Sequence, residues 1–220
     1  MTTLDIKICG LKTDEALAAA LAGGASHVGF IFFAKSPRNI APAEAGRLRQ
    51  MARGKAKAVA VTVDADDATL DAIMAAIQPD MLQLHGSESP ERVSAIKAHY
   101  RVPVMKALSV RQAADLEAAL AYRGIADRLL FDAKPPKGAD LPGGNGVTFD
   151  WKLLAGLDAK MDYMLSGGVN AGNVGEAIRR AKPAGLDISS GVESAPGIKD
   201  PALINAFFRA VATARETIAA

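Results

Sequence analysis

With 220 residues, half of them apolar and 23% charged, the chain is long enough for one sizeable core and has a globular, soluble profile. The net charge is only +2, with Lys and Arg scattered among acids, which excludes a nucleic-acid surface. One cysteine excludes an internal disulfide, and no uncharged apolar stretch approaches the roughly 18 residues of a membrane helix; with Asp5 and Lys7 inside the only early apolar run, no signal peptide is expected either, and the expected location is the cytoplasm.

Leu4 to Cys9 alternates aliphatic residues with Asp5, Lys7 and Cys9, the two-residue period of a strand. Asp14 to Ala22 reads as a helix ending at Gly23-Gly24. His27 to Phe33 is almost wholly apolar, as expected of a strand covered on both faces. A helix over Glu44–Arg53 and a strand over Lys57–Val63 follow. Asp66 or Asp67 caps a helix to Ile77, and Met81–His85 is the fourth strand. Pro90 opens a helix to about Tyr100. Val102–Ala107, Arg111–Tyr122 and Arg128–Asp132 read as strand, helix and strand. After a long glycine- and proline-rich loop, a short helix starts at Asp150 or Trp151. Tyr163–Ser166, Ala171–Ala181, Leu186–Ser189 and Pro201 to about Thr217 complete the alternation. Eight strand–helix units predict a single-domain (β/α)8 TIM barrel over residues 1–220. The alternative, an open doubly wound sheet, calls for a glycine fingerprint after strand one, and Cys9-Gly-Leu-Lys12 is not one.

In a barrel, chemistry sits at the C-terminal strand ends. Those positions hold Cys9, Arg38, Gln83, His85, Asp132 and Asp187. Cys9 is either a small buried hydrophobe or a thiol facing Asp132 across the mouth, with Lys7 two residues back on its face. Arg38 is either a carboxylate or phosphate fork or a solvated surface residue. His85 serves as acid, base, site wall or structural histidine; Asp187 binds a sugar hydroxyl or loop amides. Gly167-Gly168, followed by a helix from about Ala171, and Ser189-Ser190-Gly191 one unit later form a phosphate cup, with Gly197 placed to open a short extra helix.

Seven stretches in order carry a family pattern: Lys7–Leu11, Val28–Arg38, Leu82–Gly86, Leu130–Asp132, Gly143–Trp151, Leu165–Asn170, and Asp187–Glu193 with Pro196–Asp200. Together they resemble the phosphoribosylanthranilate isomerases of tryptophan biosynthesis. The resemblance implies an Amadori rearrangement without metal or cofactor, on a small-molecule substrate, in a monomer or homodimer that binds neither nucleic acid nor membrane. It implies Asp132 as general acid and Cys9 as general base. Arg38 then holds the anthranilate carboxylate, and Asp187 a substrate hydroxyl. Gly167, Gly168, Ser189, Ser190 and Gly191 hold the phosphate, while Gln83 and His85 line the site. Three departures stand out: Thr62 and Asp64 where the family often has phenylalanine and asparagine nearby, Lys134–Lys137, and Asn145-Gly146-Val147. A histidine-pathway or dual-substrate barrel typically needs paired aspartates on strands one and five, where this chain has Cys9 and Lys106-Ala107. A silent phosphosugar-binding module would have lost the Cys9 and Asp132 pair.

Overall fold

A computed structural model describes residues 4–136, 138, 141–157 and 161–219. Eight parallel strands pair in chain order: β1 (Asp5–Cys9), β2 (His27–Phe32), β3 (Lys57–Thr62), β4 (Met81–Leu84), β5 (Val104–Val110), β6 (Arg128–Ala133), β7 (Tyr163–Leu165) and β8 (Gly185–Ile188). The last pairs with the first, so the sheet closes into the expected barrel. Around it run α1 (Asp14–Ala22), α2 (Pro42–Ala52), α3 (Asp67–Ile77), α4 (Pro90–Tyr100), α5 (Ala113–Ala119), α6 (Val174–Ala181) and α7 (Pro201–Ala219). A 3-10 segment, Trp151–Gly156, stands where the helix after β6 is expected.

The strand alternation sorts side chains into two cores. Ile6 and Ile8, Ala58 and Ala60, Leu82 and Leu84, Leu129 and Phe131, and Leu186 and Ile188 face outward and pack with helix residues such as Leu17, Leu48, Ile73 and Phe207. The opposite parity fills the barrel with a smaller cluster of Cys9, Val59, Val61, Met81, Met105, Ala107, Leu130 and Met164. The same parity sends Lys7, Gln83, Asp132 and Asp187 inward, all of them buried. At the C-terminal half of the barrel these inward polar residues sit on β1, β4, β6 and β8; His27 and Arg128 are buried on the inward parity nearer the other end.

Local signals explain most boundaries. Thr13 Oγ1 accepts from the Ala16 amide at 3.3 Å, and Asp66 Oδ1 from that of Thr69 at 2.8 Å, capping α1 and α3. Pro42 and Pro90 occupy the first turns of α2 and α4, so α2 starts two residues before the expected Glu44. β5 starts at Val104 instead of Val102 because Pro103 has no amide to give; it extends to Val110 along β6. The helix expected over 111–122 is α5 followed by a 3-10 turn, Leu120–Tyr122. α6 begins at Val174, not Ala171, because Asn170 and Asn173 use their side chains on the preceding loop: the Asn170 amide donates to Asn173 Oδ1 at 2.8 Å, and Asn173 Nδ2 donates to the Gly168 carbonyl at 2.9 Å. Gly197 opens no helix. It lies in the turn of a hairpin, β9 (Glu193–Ala195) with β10 (Ile198–Lys199), and the short extra helix is a 3-10 turn at Ser190–Val192. Of the departing loop, Lys137 lies outside the described residues.

α7 packs against α1 and α6 and carries Phe207 fully into the outer core. Phe207→Ala is therefore expected to lower unfolding free energy by about 3–5 kcal/mol in a urea titration. Because Phe207 is far in sequence and packing from the inward-facing set, the folded fraction should keep its substrate KM.

Candidate active site

One cavity opens at the C-terminal ends of the strands and is lined by Cys9, Arg38, His85, Asp132, Asp187, Gly167, Gly168, Ser189 and Ser190. Nine of the eleven residues expected at the site thus share it. The other two stand behind it. Gln83 is fully buried beneath His85, with its Nε2 3.1 Å from His85 Nδ1. Gly191 packs its backbone against the Val169 carbonyl, where a side chain would not fit.

Cys9 and Asp132 occupy different walls. Cys9 ends β1 and is 4% exposed; burial pushes its thiol up, opposed by the Lys7 ammonium. Lys7 is fully buried and its Nζ donates to Asp187 Oδ1 at 2.9 Å. Asp187 was expected at a sugar hydroxyl or at loop amides; one of its oxygens is instead taken by Lys7, because register places the two side by side on β8 and β1. Asp132, 3% exposed, uses Oδ1 to accept the Ala133 amide at 2.9 Å. Its Oδ2 lies 3.3 Å from His85 Nε2, out of line for a hydrogen bond.

The turn carrying His85 is built by a buried pair. Lys106 Nζ donates to the Gly86 carbonyl at 2.7 Å and to Glu88 Oε2 at 2.8 Å, and Glu88 accepts the amides of Gly86 and Asp64. Asp64 sits at φ +48, a left-handed position that Asn and Asp tolerate best, so the departure from asparagine keeps the local geometry. Its Oδ1 accepts the Ser87 amide at 2.6 Å. Lys106 belongs to the outward parity of β5, and the only carboxylates lining the cavity among the described residues are Asp132 and Asp187.

Arg38 is neither a free fork nor a surface residue. It is 3% exposed, and its Nε and Nη2 each donate to Glu193 at 2.8 Å, with a further bond from Nη2 to the Gly144 carbonyl at 3.1 Å. Lys199 pairs with the same carboxylate, and burial is opposed strongly enough by Arg38 and Lys199 to hold Glu193 below its ordinary range. Burial in turn pulls the Lys199 ammonium down. Sequence reasoning gave Glu193 and Lys199 no role, although both lie within stretches of the family pattern. It also left unassigned the loop after β6, which brings Leu141, Pro142, Gly143 and Gly144 to the cavity. The doubled glycines there were the available signal: a side chain on Gly143 would run into Asp132 Oδ2, and one on Gly144 into the Arg38 guanidinium.

The glycine loop after β7 has φ values of +87 at Gly167 and +63 at Gly168. An added Cβ would lie 2.5 Å from the Ala133 amide nitrogen at Gly167, and 2.5 Å from Thr148 Cγ2 at Gly168. The backbone there is in close contact with the β6 end and its loop, which leaves no room for a side chain.

A family model described as N-(5'phosphoribosyl)anthranilate (PRA) isomerase matches residues 6–210. The N-(5'-phosphoribosyl)anthranilate isomerase of Mesorhizobium japonicum is 73% identical over 217 residues, 99% of each chain. The fold is similar to that of the phosphoribosyl anthranilate isomerase from Thermotoga maritima, with TM-score 0.85, 34% identity, and coverage of 96% of this chain and 100% of that one. It is also similar to a phosphoribosyl anthranilate isomerase solved with reduced 1-(o-carboxyphenylamino)-1-deoxyribulose 5-phosphate, with TM-score 0.83, 32% identity, and coverage of 96% and 100%.

Gly168→Val should strain the positive φ and displace residues 147–148, weakening inorganic phosphate binding at least about tenfold through loss of one or two charge-assisted hydrogen bonds. Amide NMR titration checks this: shifts at 167–170 and 189–191 are expected in the parent chain. Saturable shifts confined to 35–38 would place the phosphate elsewhere.

Proposed function

Because the chain belongs to the N-(5'-phosphoribosyl)anthranilate isomerase family, we propose that Cys9 and Asp132 are the base and the acid of its reaction. That reaction is the isomerisation of N-(5'-phosphoribosyl)anthranilate to 1-(2-carboxyphenylamino)-1-deoxyribulose 5-phosphate in tryptophan biosynthesis, an Amadori rearrangement. The observation that carries the assignment is that Cys9 and Asp132 line one cavity together with Arg38 and the glycine and serine loops.

Asp132 Oδ2 is the oxygen left for substrate, since Oδ1 is engaged by the Ala133 amide. From there a proton passes to the ribose ring oxygen as the C1'–O bond breaks, leaving an iminium. The Cys9 thiolate then takes the C2' proton and forms an enolamine, which tautomerises to the ketone. Arg38 meets the anthranilate carboxylate with the part of its guanidinium that Glu193 does not occupy. Gly167, Gly168, Ser189 and Ser190 receive the phosphate, with Gly191 shaping the turn behind them. His85 and Gln83 support the acid side, and Asp187 acts on substrate through its second oxygen while holding Lys7 with its first.

The same proposal includes one barrel domain over residues 1–220, a cytoplasmic location, and a monomer or homodimer. Among the described residues no helix is long and apolar enough to cross a membrane. A histidine-pathway substrate is not favoured, because β5 gives the cavity no carboxylate and β1 gives it a thiol. A silent binding module is not favoured either, since both proton-transfer residues line the cavity.

Cys9→Ala and Asp132→Asn should each lower kcat by about 10²–10⁴, with affinity for a product analogue kept within about tenfold. Loss of substrate fluorescence gives the rate; near-parental turnover in either variant would remove that residue from the mechanism. Arg38→Met should raise KM more than it lowers kcat, and an unchanged KM would contradict the carboxylate contact.

A further inference from the structure

Lys7 and Cys9 share the inward face of β1, two residues apart, so their side chains lie one above the other in the barrel. Across from Cys9 in register stands Gly29 of β2. An added Cβ on Gly29 would lie 3.0 Å from Cys9 Sγ and 3.1 Å from Lys7 Cε. One glycine thus leaves the space in which the thiol and the lysine stem both fit. The Lys7 ammonium has three hydrogens to place inside a fully buried site, and Asp187 Oδ1 takes one at 2.9 Å. An ammonium buried beside a thiol has a natural second partner in the sulfur once that sulfur is charged.

The charged groups facing Cys9 come from three elements: Lys7 on β1, Asp187 on β8 and Lys199 on β10, while β2 presents Gly29. Each lysine is paired with a carboxylate, and Lys7, on the same strand face as Cys9, acts on the sulfur more strongly than Lys199.

Resting on the reading of Cys9 as the base, we propose that Lys7 is a positioning residue for the isomerisation: its ammonium, on the same face of β1 and bonded to Asp187, stabilises the Cys9 thiolate that accepts the substrate proton. The thiolate forms when the thiol proton leaves to solvent and the sulfur keeps the electron pair. The C2' proton later re-forms the S–H bond, and Lys7 itself exchanges no proton. Burial is the largest influence on the Cys9 thiol and raises its pKa above the ordinary thiol value; Lys7 is the strongest influence against that rise, and Asp187 works with burial. Reciprocally, burial works against the Lys7 charge, yet Asp187 and then Cys9 hold its pKa above the ordinary lysine range.

Cys9 is the sole cysteine, so the rate of alkylation by iodoacetamide as a function of pH reports its ionisation alone, with Cys9→Ser as the blank. Lys7→Met should move the alkylation midpoint up by about one pH unit or more, and Asp187→Asn should move it down. General damage to the site would move both in the same direction, so opposite signs are the diagnostic result. Should Lys7→Met fail to fold with Asp187 left unpaired, the double variant Lys7→Met/Asp187→Asn leaves no lone buried charge of this pair, and its midpoint should still rise, by less. The acidic limb of kcat/KM should follow the alkylation midpoint in every variant. An unmoved midpoint in both Lys7 variants, or equal-sign shifts in the two single variants, would overturn the role of Lys7. Midpoints that move while the acidic limb stays fixed would leave the Lys7–Cys9 coupling standing and overturn Cys9 as the base.

Discussion

The barrel closes where β8 meets β1, and at that seam Lys7 stands opposite Asp187 in register, with the two side chains joined at 2.9 Å in an almost solvent-free interior. Removing both charges from water costs several kcal/mol per ion, and their attraction roughly offsets that cost only in good geometry. The pair therefore adds little net stability, but leaving either member alone would cost about 3–5 kcal/mol. Its structural consequence is register. A one-residue slip of β1 would turn Lys7 toward the helices and send Ile6 and Ile8 inward, leaving Asp187 buried without a cation. The constraint that fixes closure also delivers Cys9, two residues on, to the cavity.

Arg38, which lines the cavity, and Lys199, paired with the same carboxylate as Arg38, are treated the same way. Arg38 is clamped by Glu193 and the Gly144 carbonyl, and Lys199 by the same Glu193. Cations fixed by protein carboxylates before substrate arrives need little reorganisation when an anion binds or charge moves. The acid wall is arranged differently. Asp132 has one oxygen on a backbone amide and the other beside His85 under Gly143, with no cation bonded to it among the described residues. The proposed base thus lies beside a cation, and the proposed acid beside a histidine and a backbone amide.

Much of this was legible in the sequence, because strand alternation is local and the eightfold repetition of strand and helix leaves few topologies. Cys9, Asp132 and Asp187 could be placed on the inward parity of their strands from the neighbouring aliphatic residues alone. The Gly167-Gly168 loop was legible because backbone at positive φ and close approach leave a composition signature. What sequence could not supply were partners distant in the chain: Arg38 with Glu193, 155 positions away, and Lys7 with Asp187, 180 away. The start of α6 was misplaced for a related reason. Two asparagines hydrogen-bonding within their own loop, with Gly172 between them, delay the helix to Val174. Gly197 was read as a helix opener because a glycine before apolar residues fits several turns, and only the pairing of β9 with β10 decides among them.

The central claim is that one cavity presents the substrate's C2' carbon to a thiolate and its ring oxygen to a carboxylic acid. A crystal structure of this chain with reduced 1-(o-carboxyphenylamino)-1-deoxyribulose 5-phosphate bound tests it most directly. The account predicts the phosphate on the Gly167-Gly168 and Ser189-Ser190 backbone, the carboxylate on Arg38, C2' next to Cys9 Sγ and the O4' hydroxyl next to Asp132 Oδ2. An analogue bound with its carboxylate in the glycine loops, or with C2' turned toward Asp132 and away from Cys9, would contradict it.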